Sequence, residues 1–166
     1  MSAANSHVKV VLVGNGGVGK TTWLRRLITG VFDDTYTPTR GFNEYPITVD
    51  QTKFTVFDCA GQYNFRGLNN THMNDADCVI IMYKVQDMRS QHAVAEWYNI
   101  AVNAGSPSKI IVVVNTENAD EHQNIRNGQM LLQFMELYPH VSFVHVNIKQ
   151  DTVEDLMNNI FSRLLT

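Results

Sequence analysis

One loop constrains the fold more than any other feature. Gly14-Asn15-Gly16-Gly17-Val18-Gly19-Lys20-Thr21 lies between an apolar, β-branched run, Val8–Val13, and a helical stretch, Lys20–Thr29. It matches G-x-x-x-x-G-K-[ST] in the strand–loop–helix context that the pattern requires. Glycines let successive backbone N–H groups curl around phosphate oxygens. The N-terminal end of the following helix adds positive partial charge. Lys20 brings a point charge for the outer phosphates, and the Thr21 hydroxyl is a small, hard ligand suited to Mg²⁺. Thr22 continues the first turn of the helix.

The remaining chain alternates strand and helix. Asn43–Val49 and Thr52–Asp58 alternate in polarity across Asp50-Gln51, the pattern of an antiparallel hairpin. Cys78–Tyr83, Ile110–Val114 and Val141–Val146 read as buried strands. Helices are expected near Ser90–Ala104, Gln123–Tyr138 and Thr152–Leu165. In the last, Val153, Leu156, Met157, Ile160, Phe161 and Leu164 share one face. Alternation of this kind predicts an α/β fold, a mostly parallel sheet with helices on both faces. At 166 residues a single domain, 1–166, is expected, with the short polar segment 1–7 flexible. In such sheets ligands gather at the carboxyl ends of the strands. The loops after Val13, Phe57, Val114 and Val146 are therefore where chemistry is sought.

The net charge of −3 provides no general basic field for nucleic acid or an anionic membrane. Cys59 and Cys78 lie in or beside apolar runs and read as buried thiols of a reducing compartment. No apolar leader or 20-residue span is present, position 2 is serine, and the C-terminus carries no prenylation cysteine. A soluble chain without a lipid anchor is expected. The six histidines show no metal-like spacing and read as surface or satisfied residues. Trp23, Trp97, Met130, Met135 and Met157 fall on helical faces and are expected in the core.

Two further segments belong to a phosphate site. Asp58-Cys59-Ala60-Gly61-Gln62 ends the third strand. A carboxylate there can hold a water of the Mg²⁺ shell, and the Gly61 N–H can turn to a terminal phosphate. The Gln62 amide both donates and accepts, so it can orient an attacking water. Between the first helix and the hairpin lies the polar loop Phe32–Gly41, long enough to fold over a nucleotide. Thr39 in that loop could give Mg²⁺ a second hydroxyl when a γ-phosphate draws the loop in.

On these residues the chain resembles the Ras-like small GTPases over essentially its full length, and among them most the nuclear-transport branch, Ran. The likeness continues through Gly19-Lys20-Thr21-Thr22, Thr29-Gly30-Val31-Phe32, Phe54-Thr55-Val56-Phe57-Asp58, Phe65-Arg66-Gly67-Leu68 and Cys78-Val79-Ile80-Ile81-Met82-Tyr83. The resemblance implies a six-stranded P-loop sheet with one antiparallel strand, GTP or GDP and Mg²⁺ as ligands, and residence in nucleus and cytoplasm. It implies catalysis by Gln62 with Lys20 and Gly61, metal ligation by Thr21 and Thr39, and water-mediated ligation by Asp58. It implies nucleotide contacts from Gly14 through Thr22, from Phe32 and Tyr36 in the first-switch loop, and from the two base loops. Its partners would be transport receptors, an exchange factor and a GTPase-activating protein, each meeting a monomer through the switch regions. Gly16 matches the glycine whose missing side chain leaves room for the attacking water.

The base loops depart from the family. Where N-K-x-D is expected, the chain reads Asn115-Thr116-Glu117-Asn118. The family lysine covers a face of the base and the family aspartate accepts from the guanine ring N–H and amine. An amide offers one acceptor and one donor, so its NH₂ would meet the guanine amine head-on, at a cost of ~1–3 kcal/mol. The same amide would suit xanthine. Glu117 and Asp120 would need a register slip to serve. The second loop, usually S-A-K, is Asn147-Ile148-Lys149, whose middle N–H and lysine are kept. Lys84 replaces the usual aspartate after the fourth strand, Tyr63 follows the glutamine, and Arg40 lies beside Thr39. The basic cluster before the sixth strand and the acidic tail of Ran have no counterpart in the sequence. Two functions follow. One is a slow, Mg²⁺-dependent purine-nucleotide switch with weakened guanine preference. The other is a weakly loaded or altered-base module that competes for transport receptors or regulators.

Overall fold

A computed structural model describes residues 7–33, 42–59, 73–105 and 107–165. The strands are β1 (His7–Val13), β2 (Phe42–Val49), β3 (Thr52–Cys59), β4 (Cys78–Lys84), β5 (Lys109–Asn115) and β6 (Ser142–Val146). The helices are α1 (Lys20–Thr29), α2 (Met88–His92), α3 (Val94–Gly105), α4 (Glu121–Leu137) and α5 (Val153–Leu164). The sheet order is β2-β3-β1-β4-β5-β6, and only the β2–β3 pair is antiparallel. The six-stranded, mostly parallel sheet is the expected one.

The sheet is buried on both faces because β1, β4 and β5 carry apolar residues at every position of their inner halves. Val10 and Leu12 point to one layer with Trp23, Leu24, Phe54 and Phe161. Val11 and Val13 point to the other, with Tyr83, Trp97, Ala101 and Leu131. In the first layer Trp23 stacks on Phe161 at 6.0 Å between centroids, and Phe54 meets Phe161 edge-on at 5.0 Å. Asp50 and Gln51 both take positive φ, the mirror-image turn that suits the twist of a two-residue hairpin.

Helix ends follow local chemistry. Gly30 ends α1 in the left-handed region and donates its N–H to Arg26 O. Asp120 and Gln123 form a capping box on α4, and Thr152 caps α5. Three expectations need correction. The helix over Ser90–Ala104 is two, broken at Ala93, because Asp87 caps an earlier start at Met88 with bonds from Arg89 N and Ser90 N. Met135 is 54% exposed and not core: α4 turns only Asn127 and Leu131 fully inward. His7 is no part of a flexible leader; it opens β1 and pairs with Lys53. The rest of the segment 1–7 lies outside the described residues. Trp23, Trp97, Cys59 and Cys78 are buried as expected. Burial pushes both thiols up to about 12, so neither is a nucleophile at neutral pH. Among the described residues no helix is long and apolar enough to cross a membrane.

Candidate nucleotide-binding site

The carboxyl ends of the strands lie together. Leu12 of β1 pairs with Asp58 of β3, Lys84 of β4 with Asn115 of β5, and Asn115 with Val146 of β6. The strand ends that precede the marked loops therefore share one edge.

At the β1 end the chain turns through Gly14 at φ 146°. A Cβ there would sit 2.2 Å from Met82 O, so no side chain fits. Gly16 and Gly17 are exposed on the loop, and Gly17 takes φ 81°. Gly19 turns at φ 108° into α1, and a Cβ would press on Ile148 Cδ1 at 2.8 Å and Asn115 Nδ2 at 3.0 Å. Gly19 also has no side chain to cap α1. The first-turn N–H groups of a helix are left for a ligand in that case.

Lys20 is buried, 6% exposed, and its ammonium spans the loop, donating to Gly14 O at 2.7 Å and Asn15 O at 2.9 Å. Burial pulls its pKa down to about 8, against the opposing pull of Asp58 and Cys59. An anion laid in the loop would favour the charged form and raise that pKa. Thr21 Oγ1 donates to Asp58 Oδ2 at 2.5 Å, joining the phosphate loop to the end of β3. Thr22 is half-buried in the first turn of α1, and Val18 is buried below the loop. Asn15 Oδ1 accepts from the indole of Trp97 at 3.0 Å, which ties the loop to α3. The sequence reading missed this bond, since 82 residues separate the partners and Trp97 belongs to no motif.

The donor set fits Mg²⁺ with a phosphate. Mg²⁺ keeps waters and takes one or two protein oxygens plus phosphate oxygens. One hydroxyl beside one buried carboxylate is such a set. Among the described residues no three His, Cys, Asp or Glu side chains gather as a protein-only metal cage. Tyr36, Thr39, Gly61 and Gln62 lie outside the described residues, as do Arg40 and Tyr63.

The base loops stand beyond α1. Asn115 is 1% exposed; its Nδ2 donates to Val18 O at 3.0 Å and its Oδ1 accepts from Glu117 N at 3.1 Å. This asparagine thus locks the phosphate loop to the base loop. Thr116 turns its hydroxyl to Val146 O at 3.1 Å, so it folds back on β6. Asn118 is exposed, at φ 57°, with its Nδ2 on Glu117 Oε1 at 3.2 Å. Glu117 is buried, 8% exposed, and its Oε2 lies 3.9 Å from Lys84 Nζ. Asp120 is spent on capping α4. In the second loop Asn147 Oδ1 accepts from Lys149 N at 3.2 Å and Gln150 N at 3.0 Å. Its backbone N–H donates to Asp151 Oδ2 at 2.8 Å. Arg26 of α1 donates to the carbonyl of buried Ile148. Lys149 Nζ lies 6.0 Å from the centre of the Phe32 ring, so the start of the first-switch loop and the second base loop meet.

The edge therefore has a cationic phosphate cradle, a hydroxyl–carboxylate pair and two pinned loops, the second of them against the Phe32 ring. A family model described as the Ras family matches residues 9–165.

Proposed function

The chain belongs to the Ras family of small GTPases, and from that premise we propose that it is a Ran-like, Mg²⁺-dependent purine-nucleotide switch that hydrolyses the γ-phosphate slowly. Family members bind GTP or GDP with Mg²⁺ and act as molecular switches. The observation that carries the reading is the Thr21–Asp58 contact beside the buried Lys20 ammonium. It joins the loop that cradles phosphate to the strand end that leads into Gly61 and Gln62.

Lys20 and the loop N–H groups hold the charge that develops on the transferring phosphoryl group. Thr21 and Asp58, the latter through water, would hold Mg²⁺ with Thr39, and the bound ion would neutralise charge on the phosphate oxygens. Gln62 orients the attacking water, accepting its proton side and donating to its oxygen. Gly16 leaves room for that water. Without an arginine supplied by a partner, turnover is slow.

Base reading falls to Asn115, Asn118, Asn147, Ile148 and Lys149, with Phe32 and Tyr36 near the base. Thr116 turned to β6 gives no stem over the base, which supports a weakened guanine site. The Ran-type assignment rests on the sequence stretches quoted above. It carries the transport receptors, exchange factor and activating protein as partners through the switch regions.

Loading the protein with GTP and Mg²⁺ and following a single turnover tests this. Slow phosphate release that Gln62→Leu abolishes is expected, with capture of an import receptor by the triphosphate form alone. No release, and receptor binding indifferent to nucleotide, would instead favour the competitor module.

A further inference from the structure

Asn118 stands where the family's base loop carries an aspartate, and its amide is turned one way by its neighbour. Its Nδ2 donates to Glu117 Oε1 at 3.2 Å. A carboxylate oxygen accepts only, so the amide must point its nitrogen there. Nitrogen and oxygen diverge from one amide carbon, so Oδ1 faces away from Glu117.

Glu117 is itself held. It is 8% exposed, its Oε2 lies 3.9 Å from Lys84 Nζ, and its N–H donates to Asn115 Oδ1 at 3.1 Å. Lys84 and Asn115 are direct partners in the β4–β5 register, so the cation facing the carboxylate and the side chain holding the Glu117 backbone both come from adjacent strand ends. The Asn118 carbonyl accepts from Gln86 Nε2, which holds the backbone of the same residue. Its left-handed φ of 57° is one that asparagine adopts readily.

We infer that Glu117 is a positioning residue that fixes the Asn118 amide so that Oδ1 is presented to the base, which makes the loop a single-acceptor reader that keeps guanine over xanthine. The inference rests on the proposed base-reading role of Asn118. Guanine offers two donors on that edge, the ring N–H and the exocyclic amine. Xanthine keeps the ring N–H but has a carbonyl in place of the amine. A lone acceptor meets two donors on guanine and a donor beside a lone pair on xanthine. An amide free to turn over would offer its NH₂ to the xanthine carbonyl and reverse the preference. Here, turning over takes a hydrogen-bond donor from a buried carboxylate and sets the amide oxygen against it, which is unfavourable. Glu117 thus removes the head-on clash that the bare sequence predicts, while the second acceptor of an aspartate stays lost.

The test is a pair of dissociation constants, for GDP and for xanthosine 5′-diphosphate, on the full chain with Mg²⁺. The unmodified protein should bind GDP the tighter. Glu117→Gln can donate to Asn118 Oδ1 and release the amide, so the GDP-to-xanthosine ratio should move about tenfold toward xanthosine. A merely structural role would lower both affinities together and leave the ratio in place. Preference for xanthosine diphosphate in the unmodified protein overturns the inference without any variant having to fold. An unmoved ratio in a folded Glu117→Gln, with Asn118→Ala weakening GDP, overturns the positioning role but leaves the base loop standing. Asn118→Ala that changes neither affinity removes the base-loop reading, and the inference with it.

Discussion

The two ends of the candidate site are built on different principles. At the phosphate end the geometry is made by backbone: three positive-φ glycines, a helix start and one lysine whose ammonium grips two carbonyls of its own loop. The residues lie within one strand–loop–helix unit, and Asp58, Trp97 and Asn115 reach it from elsewhere. At the base end the geometry is made by side chains. Asn115, Glu117, Asn118, Lys84 and Gln86 hold one another, and Asn147 holds its loop through its own amide. Backbone geometry tolerates few substitutions: a Cβ at Gly14 or Gly19 would collide with its neighbours, and at Gly17 the positive φ itself disfavours one. A side-chain network tolerates many, provided each lost partner is replaced.

Breaking the backbone-built end should have the largest effect. Gly14→Ala puts a Cβ against Met82 O at a positive φ, so a loss of about 2–4 kcal/mol in urea unfolding is expected. A variant as stable as the parent would contradict the strained turn. Next is Lys20→Ala. Charge-assisted contacts contribute about 1.5–3 kcal/mol each, so GDP and GTP should both weaken by about 100-fold. The melting temperature should hold or rise, since a desolvated charge is removed.

The same lysine gives the phosphate end a pH signature. Its pKa of about 8 in the free protein means that it is losing its proton above pH 8. Bound phosphate favours the charged form and raises that pKa, so binding takes up a proton. GDP affinity should therefore fall as pH rises above 8, by up to about tenfold per unit. Lys20→Ala should lack this component of the slope.

The base end should respond by gain as well as loss. Asn118→Asp restores a second acceptor and should tighten GDP by about tenfold. Its carboxylate would face that of Glu117, so adding Glu117→Gln should tighten GDP further. Unchanged or weaker GDP binding in both would remove Asn118 from the base site. The smallest effect is expected where the loop meets α3. Trp97→Phe deletes the bond to Asn15 Oδ1, about 1 kcal/mol, and should loosen GDP a fewfold at most.

The legible part of the molecule follows the same division. Periodicity and turn chemistry located the strands, the hairpin at Asp50-Gln51 and the helix Lys20–Thr29, because each depends on neighbours in sequence. The break at Ala93 was missed because the Asp87 cap and the Ser90 contacts with Lys84 outweigh a continuous helical pattern. Met135 was misplaced because α4 is weakly amphipathic, and it buries Asn127 for bonds from Tyr83 and Gln91. Burial raises the Tyr83 pKa above its ordinary value, against the opposing pull of its contacts with Asn127 and Gln91. At the site, Lys20, Thr21 and Asp58 were legible from spacing. The partnership of Lys84 with Glu117 was not, since two unremarkable charges meet only through the β4–β5 register.

The central claim is that the chain holds a guanine nucleotide although Asn118 replaces the aspartate. The direct measurement is to purify the protein without added nucleotide, denature it, and identify what is released by chromatography and mass spectrometry. Near-stoichiometric GDP or GTP is the expected result. An empty site, or a nucleotide with another base, would contradict the claim.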